Sequence, residues 1–225
     1  MYRPLSTRQH QTLTKRCQAT FGLALADTLL RAYQQPHRRY HTLSHIDEML
    51  QAFDAQRGAW QRPRAVEWAV WFHDVVYETA ENHYPDNEAQ SARLMVQLLE
   101  ASPGESLAQW DKDLARRLVL STHAHRVLAA DFSSAEREDA QRFMDLDLRV
   151  LARQWRDVQA FDAAIREEFS QYTDEQFATR RIHALQALAK TSVFQGPQTT
   201  VLEPLAQENL RKLIAQWERH GTTKH

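Results

Sequence analysis

An adjacent histidine and aspartate stand in the middle of an apolar run of the sequence. His73 and Asp74 follow Trp71 and Phe72 and precede Val75. Burying an ionised aspartate beside a histidine is costly unless both groups are paired or bind an ion. The pattern therefore has two interpretations: a metal or catalytic site, or a buried His–Asp pair at a helix edge.

Two histidines, His41 and His45, are four residues apart. In one helical turn they would share a face, where they could bind one metal ion or divide the roles of metal ligand and proton donor. The alternative is a pair of polar residues near the start of a helix. Arg38 and Arg39 precede them and could hold an anion or remain solvated.

Two aspartates alternate with apolar residues further along the chain. Asp145 and Asp147 flank Leu146, so their carboxylates are expected at the edge of a buried face. A carboxylate in that position can complete a metal site built mostly of histidines. The alternative is an acid that caps the next helix and interacts with its dipole.

Two other polar clusters are weaker signals. Thr122, His123 and His125 follow an apolar helix. Asp86 and Glu88 come just before and within a predicted helix start, where Asp86 can act as an N-cap and Glu88 can interact with the helix dipole.

The composition is that of a globular domain. The chain has 225 residues, 43% of them hydrophobic, and a net charge of -1. The hydrophobic content excludes disorder. The near-zero net charge argues against nucleic acid as a partner. No apolar run is long enough for a membrane helix, and no targeting segment is evident near the first residues. Cys17 is the only cysteine, which excludes an intrachain disulfide and favours a cytoplasmic location.

The apolar residues recur with a period near 3.6 along most of the chain, which predicts an all-α fold. Glycine and proline are few, with 5 and 7 copies, and the Asn-Gly and Asp-Gly pairs typical of hairpins do not occur. We predict a single helical domain over residues 1–225, with a break at Pro103-Gly104. The first three predicted helices cover about Ser6–Gln34, about Thr42–Gln56, and Pro63 through Val76. The next is capped by Asp86, another ends near Ser121–His125, and a sixth opens with a Ser133/Glu136 capping box. Two further helices follow, and the last covers about 199–219.

The order His45, then His73-Asp74, then Asp147 offers two imidazoles and two carboxylates. This is the nitrogen and oxygen ligand set of a divalent metal ion. In these residues the chain resembles the HD superfamily of metal-dependent phosphohydrolases, which is named for its adjacent His-Asp pair.

The chain is also similar to a bacterial subfamily of predicted HD-superfamily hydrolases. The similarity covers about Ala32 to Arg181, with Asn209-Leu210 near the end. Leu146 departs from the family pattern, in which a small residue more often separates the two acids, so Asp145 stays an alternative to Asp147. The similar stretches are Pro36–Ile46, Trp71–Tyr77, Asn87-Glu88 with Ser91-Ala92, Thr122 with His125, Asp145–Leu148, and Ile165-Arg166 with Glu168.

The resemblance implies an HD-type helical bundle whose site holds a divalent ion: Mn, Mg, Fe, Co, Ni or Zn. The implied metal ligands are His45, His73, Asp74 and Asp147. The implied catalytic residues are His41 as the proton donor, Asp74, and Glu88 and His125 beside the metal. Arg39 is the candidate contact for the substrate phosphate.

These residues lead to three hypotheses. The first is a metal-dependent phosphohydrolase that cleaves a small phosphomonoester or phosphodiester, such as a nucleotide, with a metal-activated water. The second is a metal-stabilised binding or regulatory module without turnover. The third is a helical interaction protein in which the histidines and acids are only polar edges. The sequence does not indicate the oligomeric state.

Overall fold

The computed structural model of the chain describes residues 4–80, 86–101 and 108–222. Within these ranges the fold is all-helical, which confirms the predicted fold class, and none of the described helices has the length and apolar character that a bilayer crossing requires. The α-helices are α1 (Thr7–Ala32), α2 (Leu43–Asp54), α3 (Pro63–Phe72), α4 (Asn87–Glu100), α5 (Gln109–Ser121), α6 (Ser134–Asp147), α7 (Trp155–Glu168), α8 (Asp174–Ala189) and α9 (Thr199–Thr222). A short 3-10 helix, Leu148–Ala152, follows α6 directly.

Most helix starts follow from local sequence. The predicted capping box of Ser133 and Glu136 opens α6. Asp86 stands at the start of α4 as predicted, but its side chain makes no capping hydrogen bond, so this part of the prediction is wrong. The break predicted at Pro103-Gly104 lies outside the described residues. The last helix continues three residues beyond its predicted end, to Thr222.

Helix α3 is shorter than its apolar pattern predicts: it ends at Phe72 and does not reach Val76. The buried guanidinium of Arg38 explains the early end. Its Nη1 donates to the carbonyl oxygen of Asp74 at 2.7 Å, and its Nη2 donates to that of Val75 at 3.0 Å. These contacts bind carbonyl groups just after the helix end and place a positive charge there.

Two hydrophobic clusters form the interior of the described bundle. The first is built by α1 to α6 and centres on large buried side chains such as Trp68 and Phe143. The second is built by the segment from Leu148 through α9 and also receives Tyr40 from the N-terminal half. The junction between the clusters is where the polar candidate residues meet.

Asp145 and Gly196 join α6 to the segment that precedes α9. The buried carboxylate of Asp145 accepts hydrogen bonds from the backbone N–H groups of Gln195 at 2.8 Å and Gly196 at 3.0 Å. A Cβ atom on residue 196 would lie 2.6 Å from Oδ2 of Asp145. Glycine is therefore required here by the close approach of the carboxylate.

We expect Gly196→Ala to lower the melting temperature by several degrees. Overpacking a buried contact costs about 1–3 kcal/mol, and each kcal/mol shifts the melting temperature of a domain of this size by about 2–4 °C. Gly58→Ala is the matched control, since an added Cβ at Gly58 meets no atom within 4 Å. Equal melting temperatures for the two variants in a thermal scan would contradict this account.

Candidate metal centre

The four predicted metal ligands come together at one point. Nε2 of His45 lies 3.2 Å from Nε2 of His73. Oδ2 of Asp74 lies 2.9 Å from Nε2 of His73, and Oδ1 of Asp147 lies 3.3 Å from Nε2 of His45. One ligand atom each from His45, His73 and Asp74 falls within 4.8 Å of the others, and Asp147 adds a carboxylate beside both histidines.

Three helix ends bring these side chains together. His45 lies in the first turn of α2, whose N-cap is Thr42. His73 follows the last residue of α3, and Asp147 is the last residue of α6. Because α3 stops at Phe72, the adjacent residues His73 and Asp74 both contribute to one cluster.

The cluster requires a positive charge between its atoms. Nδ1 of His73 lies 2.9 Å from the carbonyl oxygen of Val70, so this nitrogen carries a proton and donates it. In neutral His73 the Nε2 atom is then a lone-pair acceptor that faces the carboxylate of Asp74. Two acceptors at that separation repel each other unless a proton or a metal ion lies between them.

Without a metal ion, protons supply this charge. Burial alone would lower the pKa of His73, but the carboxylate of Asp74 outweighs it and raises that pKa to about 9. Burial would raise the pKa of Asp147, yet hydrogen bonds from His125 and His45 hold it well below its ordinary value. The donor set, two imidazoles and two carboxylates, fits a divalent transition-metal ion such as Mn²⁺, and metal binding would displace the protons.

His41 lies beside the cluster and is held by a buried acid. It precedes the N-cap of α2, and its Nε2 lies 4.0 Å from Oδ2 of Asp74. Its Nδ1 lies 2.7 Å from Oε2 of Glu168, which also accepts the Tyr77 hydroxyl at 3.0 Å. Burial would lower the pKa of His41, but the Glu168 carboxylate raises it overall.

Glu168 holds His41 and its neighbours in place, a role that was not predicted from the sequence. Its side chain is fully buried, and its Oε1 also accepts the backbone N–H groups of Arg39, Tyr40 and His41 at 2.7–2.9 Å. An acid in the apolar stripe of α7, three positions after Ile165, was the signal that could have identified it.

A cavity of about 250 Å³ borders the cluster. His41, Asp74 and Asp147 line it, and so do Glu88 and His125. Nε2 of His125 lies 3.4 Å from Oδ2 of Asp147. His125 has a φ of 46°, an uncommon conformation for a residue other than glycine, and such strain clusters at functional sites.

Two candidates from the sequence are not brought to this site. Asp145 faces Gln195 and Gly196, so Asp147 is the acid of the pair that lies in the cluster. The side chain of Arg39 is 42% exposed, pairs with Glu167 at 3.3 Å and is not among the residues that line the cavity. Its predicted contact with a substrate phosphate has no support from this position.

We expect Asp147→Asn to lose bound metal and Asp145→Asn to retain it. The two substitutions are chemically identical and lie two residues apart, but only Asp147 is within reach of His45 and His73. Elemental analysis after dialysis against Mn²⁺ or Zn²⁺ measures the metal per chain. Equal metal contents in the two variants would exclude Asp147 as a ligand.

The stability of the metal-free protein is expected to fall as the pH rises from 6.5 to 9. His73 has a folded pKa of about 9 against an ordinary value of 6.5, so its stabilisation is complete below 6.5 and is lost through 9. Melting temperatures of chelator-treated protein across this range measure the effect. A His73→Gln variant should show a smaller decrease, and an equal decrease in both proteins would contradict the assignment.

Comparisons with models of protein families, with curated proteins and with solved structures gave no match. The chemistry of this site therefore has to be inferred from its own residues.

Proposed function

We propose that the protein is a metal-dependent phosphohydrolase of the HD type, which cleaves a small phosphomonoester or phosphodiester. One observation carries this proposal: residues from three distant segments form a cluster of imidazole and carboxylate donors at the wall of a cavity, with His41 next to it. The sequence resemblance to the HD superfamily supports the same conclusion.

The proposed ligands of the divalent ion are His45, His73, Asp74 and Asp147. When bound, such an ion would lower the pKa of a water molecule and offset the charge of a phosphoryl group. The hydrogen bond from Nδ1 of His73 to the Val70 carbonyl fixes the ring, so that Nε2 would be available as the ligand atom.

His41 is the proposed proton donor to the leaving oxygen. Glu168 engages Nδ1 of the ring, so Nε2 is the nitrogen left for the substrate. The Glu168 carboxylate raises the pKa of His41 above its ordinary value, which favours the imidazolium form that donates a proton. A positioned imidazolium contributes about 10²–10⁴ to the rate of such a step.

The cavity favours an enzyme over a metal-stabilised module without turnover. Structural metal sites are closed by protein ligands, whereas catalytic sites keep a position open for water or substrate. Asp74 and Asp147 both line the cavity, so the cluster is open on that side.

The small cavity and the net charge of -1 support a small phosphorylated substrate and not nucleic acid. The single cysteine, Cys17, is buried and free, in keeping with the expected cytoplasmic location.

A hydrolysis screen tests the proposal directly. We expect the metal-loaded protein to release phosphate or alcohol from a panel of phosphate esters, and we expect His73→Ala to lose both metal and activity. His41→Gln should retain the metal and lower kcat by about 10²–10⁴. Metal binding by the wild type without turnover on any ester would contradict the proposed function.

The pH dependence of kcat tests the role of Glu168 as a positioning residue. The protonated form of His41 is the active one, so kcat should fall as the pH rises through its pKa. Glu168→Gln removes the charge that raises this pKa, so the alkaline limb should move to lower pH while metal content stays unchanged. A lower kcat with an unmoved alkaline limb would show that Glu168 has only a structural role.

A further inference from the structure

We propose that the cavity selects a phosphate ester with a small apolar body and a second anionic group, such as a carboxylate, which binds Arg181. This inference rests on the proposed function, because it assigns the substrate of the same site. It follows from the wall of the cavity, from an unsatisfied donor of Arg181 and from the position of that arginine.

The cavity has a polar end and an apolar wall. The polar end is formed by the residues around the metal cluster, such as His41 and Asp147. The remaining wall is largely hydrocarbon and aromatic, and its members include Leu148, Leu151, Phe161, Ile165, Leu185 and Leu188. A ribose or nucleobase would place its polar groups against this wall without partners, which is costly. An apolar body is therefore the complement of the wall.

The volume sets the size of the ligand. At about 250 Å³ the cavity is smaller than the roughly 300–1,000 Å³ of sites for drug-sized molecules. It suits a short alkyl or single-ring body better than a nucleotide.

Arg181 of α8 lines this cavity and retains an unused donor. Its side chain is 13% exposed, and its Nε donates to Oδ1 of Asp162 at 2.8 Å. The other carboxylate oxygen of Asp162 accepts the indole N–H of Trp217 at 2.7 Å. Nη2 of Arg181 is buried and has no hydrogen-bond partner among the described residues. A buried donor without an acceptor is destabilising, and an anionic ligand group would satisfy it.

The aromatic wall connects Arg181 to the metal cluster. The guanidinium carbon lies 5.3 Å from the ring centroid of Phe161, and the ring of Phe161 lies 4.6 Å from that of Tyr40. The ring of Tyr40 lies 4.8 Å from that of His45. In the described part of the chain, no ion pair joins Arg181 to the acids of the cluster. The proposal assigns to Arg181 a second group of the ligand, distinct from the phosphoryl group at the metal.

Paired phosphonates, which resist hydrolysis, test this proposal by binding alone. Isothermal titration calorimetry of the metal-loaded protein measures the affinities for hexylphosphonate and 6-phosphonohexanoate, and their ratio isolates the effect of the terminal carboxylate. We expect 6-phosphonohexanoate to bind at least tenfold more tightly, and AMP to bind at least tenfold more weakly than hexylphosphonate.

Arg181→Lys is the main variant, because Arg181→Met would leave the buried carboxylate of Asp162 without a cationic partner. It should bind the two phosphonates with nearly equal affinity and should melt close to the wild type. Arg180→Met is the matched control, since it removes an exposed positive charge from the adjacent position, which does not line the cavity. It should keep the tenfold preference.

The contrary outcomes are distinct. A wild type without the preference, a preference that survives Arg181→Lys, tighter binding of AMP, or no binding of either phosphonate would overturn this inference. If Arg181→Lys weakened both phosphonates equally, Arg181 would contact the phosphoryl group, and the two-group arrangement would be wrong.

Titration of the same two phosphonates into His73→Ala tests the proposed function independently of Arg181. That function requires that the affinity for both phosphonates falls at least tenfold in His73→Ala. If this metal dependence is missing while the carboxylate preference persists, the proposed function is overturned and the contact with Arg181 stands.

Discussion

The structure depends on the crowding of imidazole and carboxylate acceptors around one point. Nε2 of His45 and Nε2 of His73 lie 3.2 Å apart with carboxylates beside them. This arrangement is stable only when protons or a metal ion supply positive charge among the four groups. The helix ends that carry these residues meet at this point. The early end of α3, which the contacts of Arg38 explain, brings His73 and Asp74 into the same cluster.

Two buried charges outside the cluster keep its parts in place. Arg38 binds the carbonyl groups of Asp74 and Val75 and so holds the segment that follows α3. Glu168 of α7 binds three consecutive backbone N–H groups and the ring of His41. Since α7 belongs to the second hydrophobic cluster, this acid connects the two halves of the bundle at the site where the proposed chemistry occurs.

Local sequence was sufficient for the fold class and for most helix starts, because the apolar period and the capping residues act within a few positions. The residues of the cluster were predicted as metal ligands from their types, their order and their resemblance to a known superfamily. The end of α3 could not be predicted from its apolar pattern, since it depends on a contact with Arg38, 36 residues away from Asp74. The choice between Asp145 and Asp147 likewise depends on a partner, Gly196, that lies 51 residues from Asp145. The contacts of Glu168 are tertiary too, since His41 lies 127 residues and Tyr77 lies 91 residues from it in sequence.

Anomalous diffraction from crystals grown with Mn²⁺ or Zn²⁺ tests the central claim most directly. The account predicts one peak among Nε2 of His45, Nε2 of His73 and the carboxylates of Asp74 and Asp147, at about 2.0–2.2 Å from the nitrogen and oxygen atoms for zinc. A fully loaded crystal with no peak at this point, or with the metal held by other residues, would contradict it.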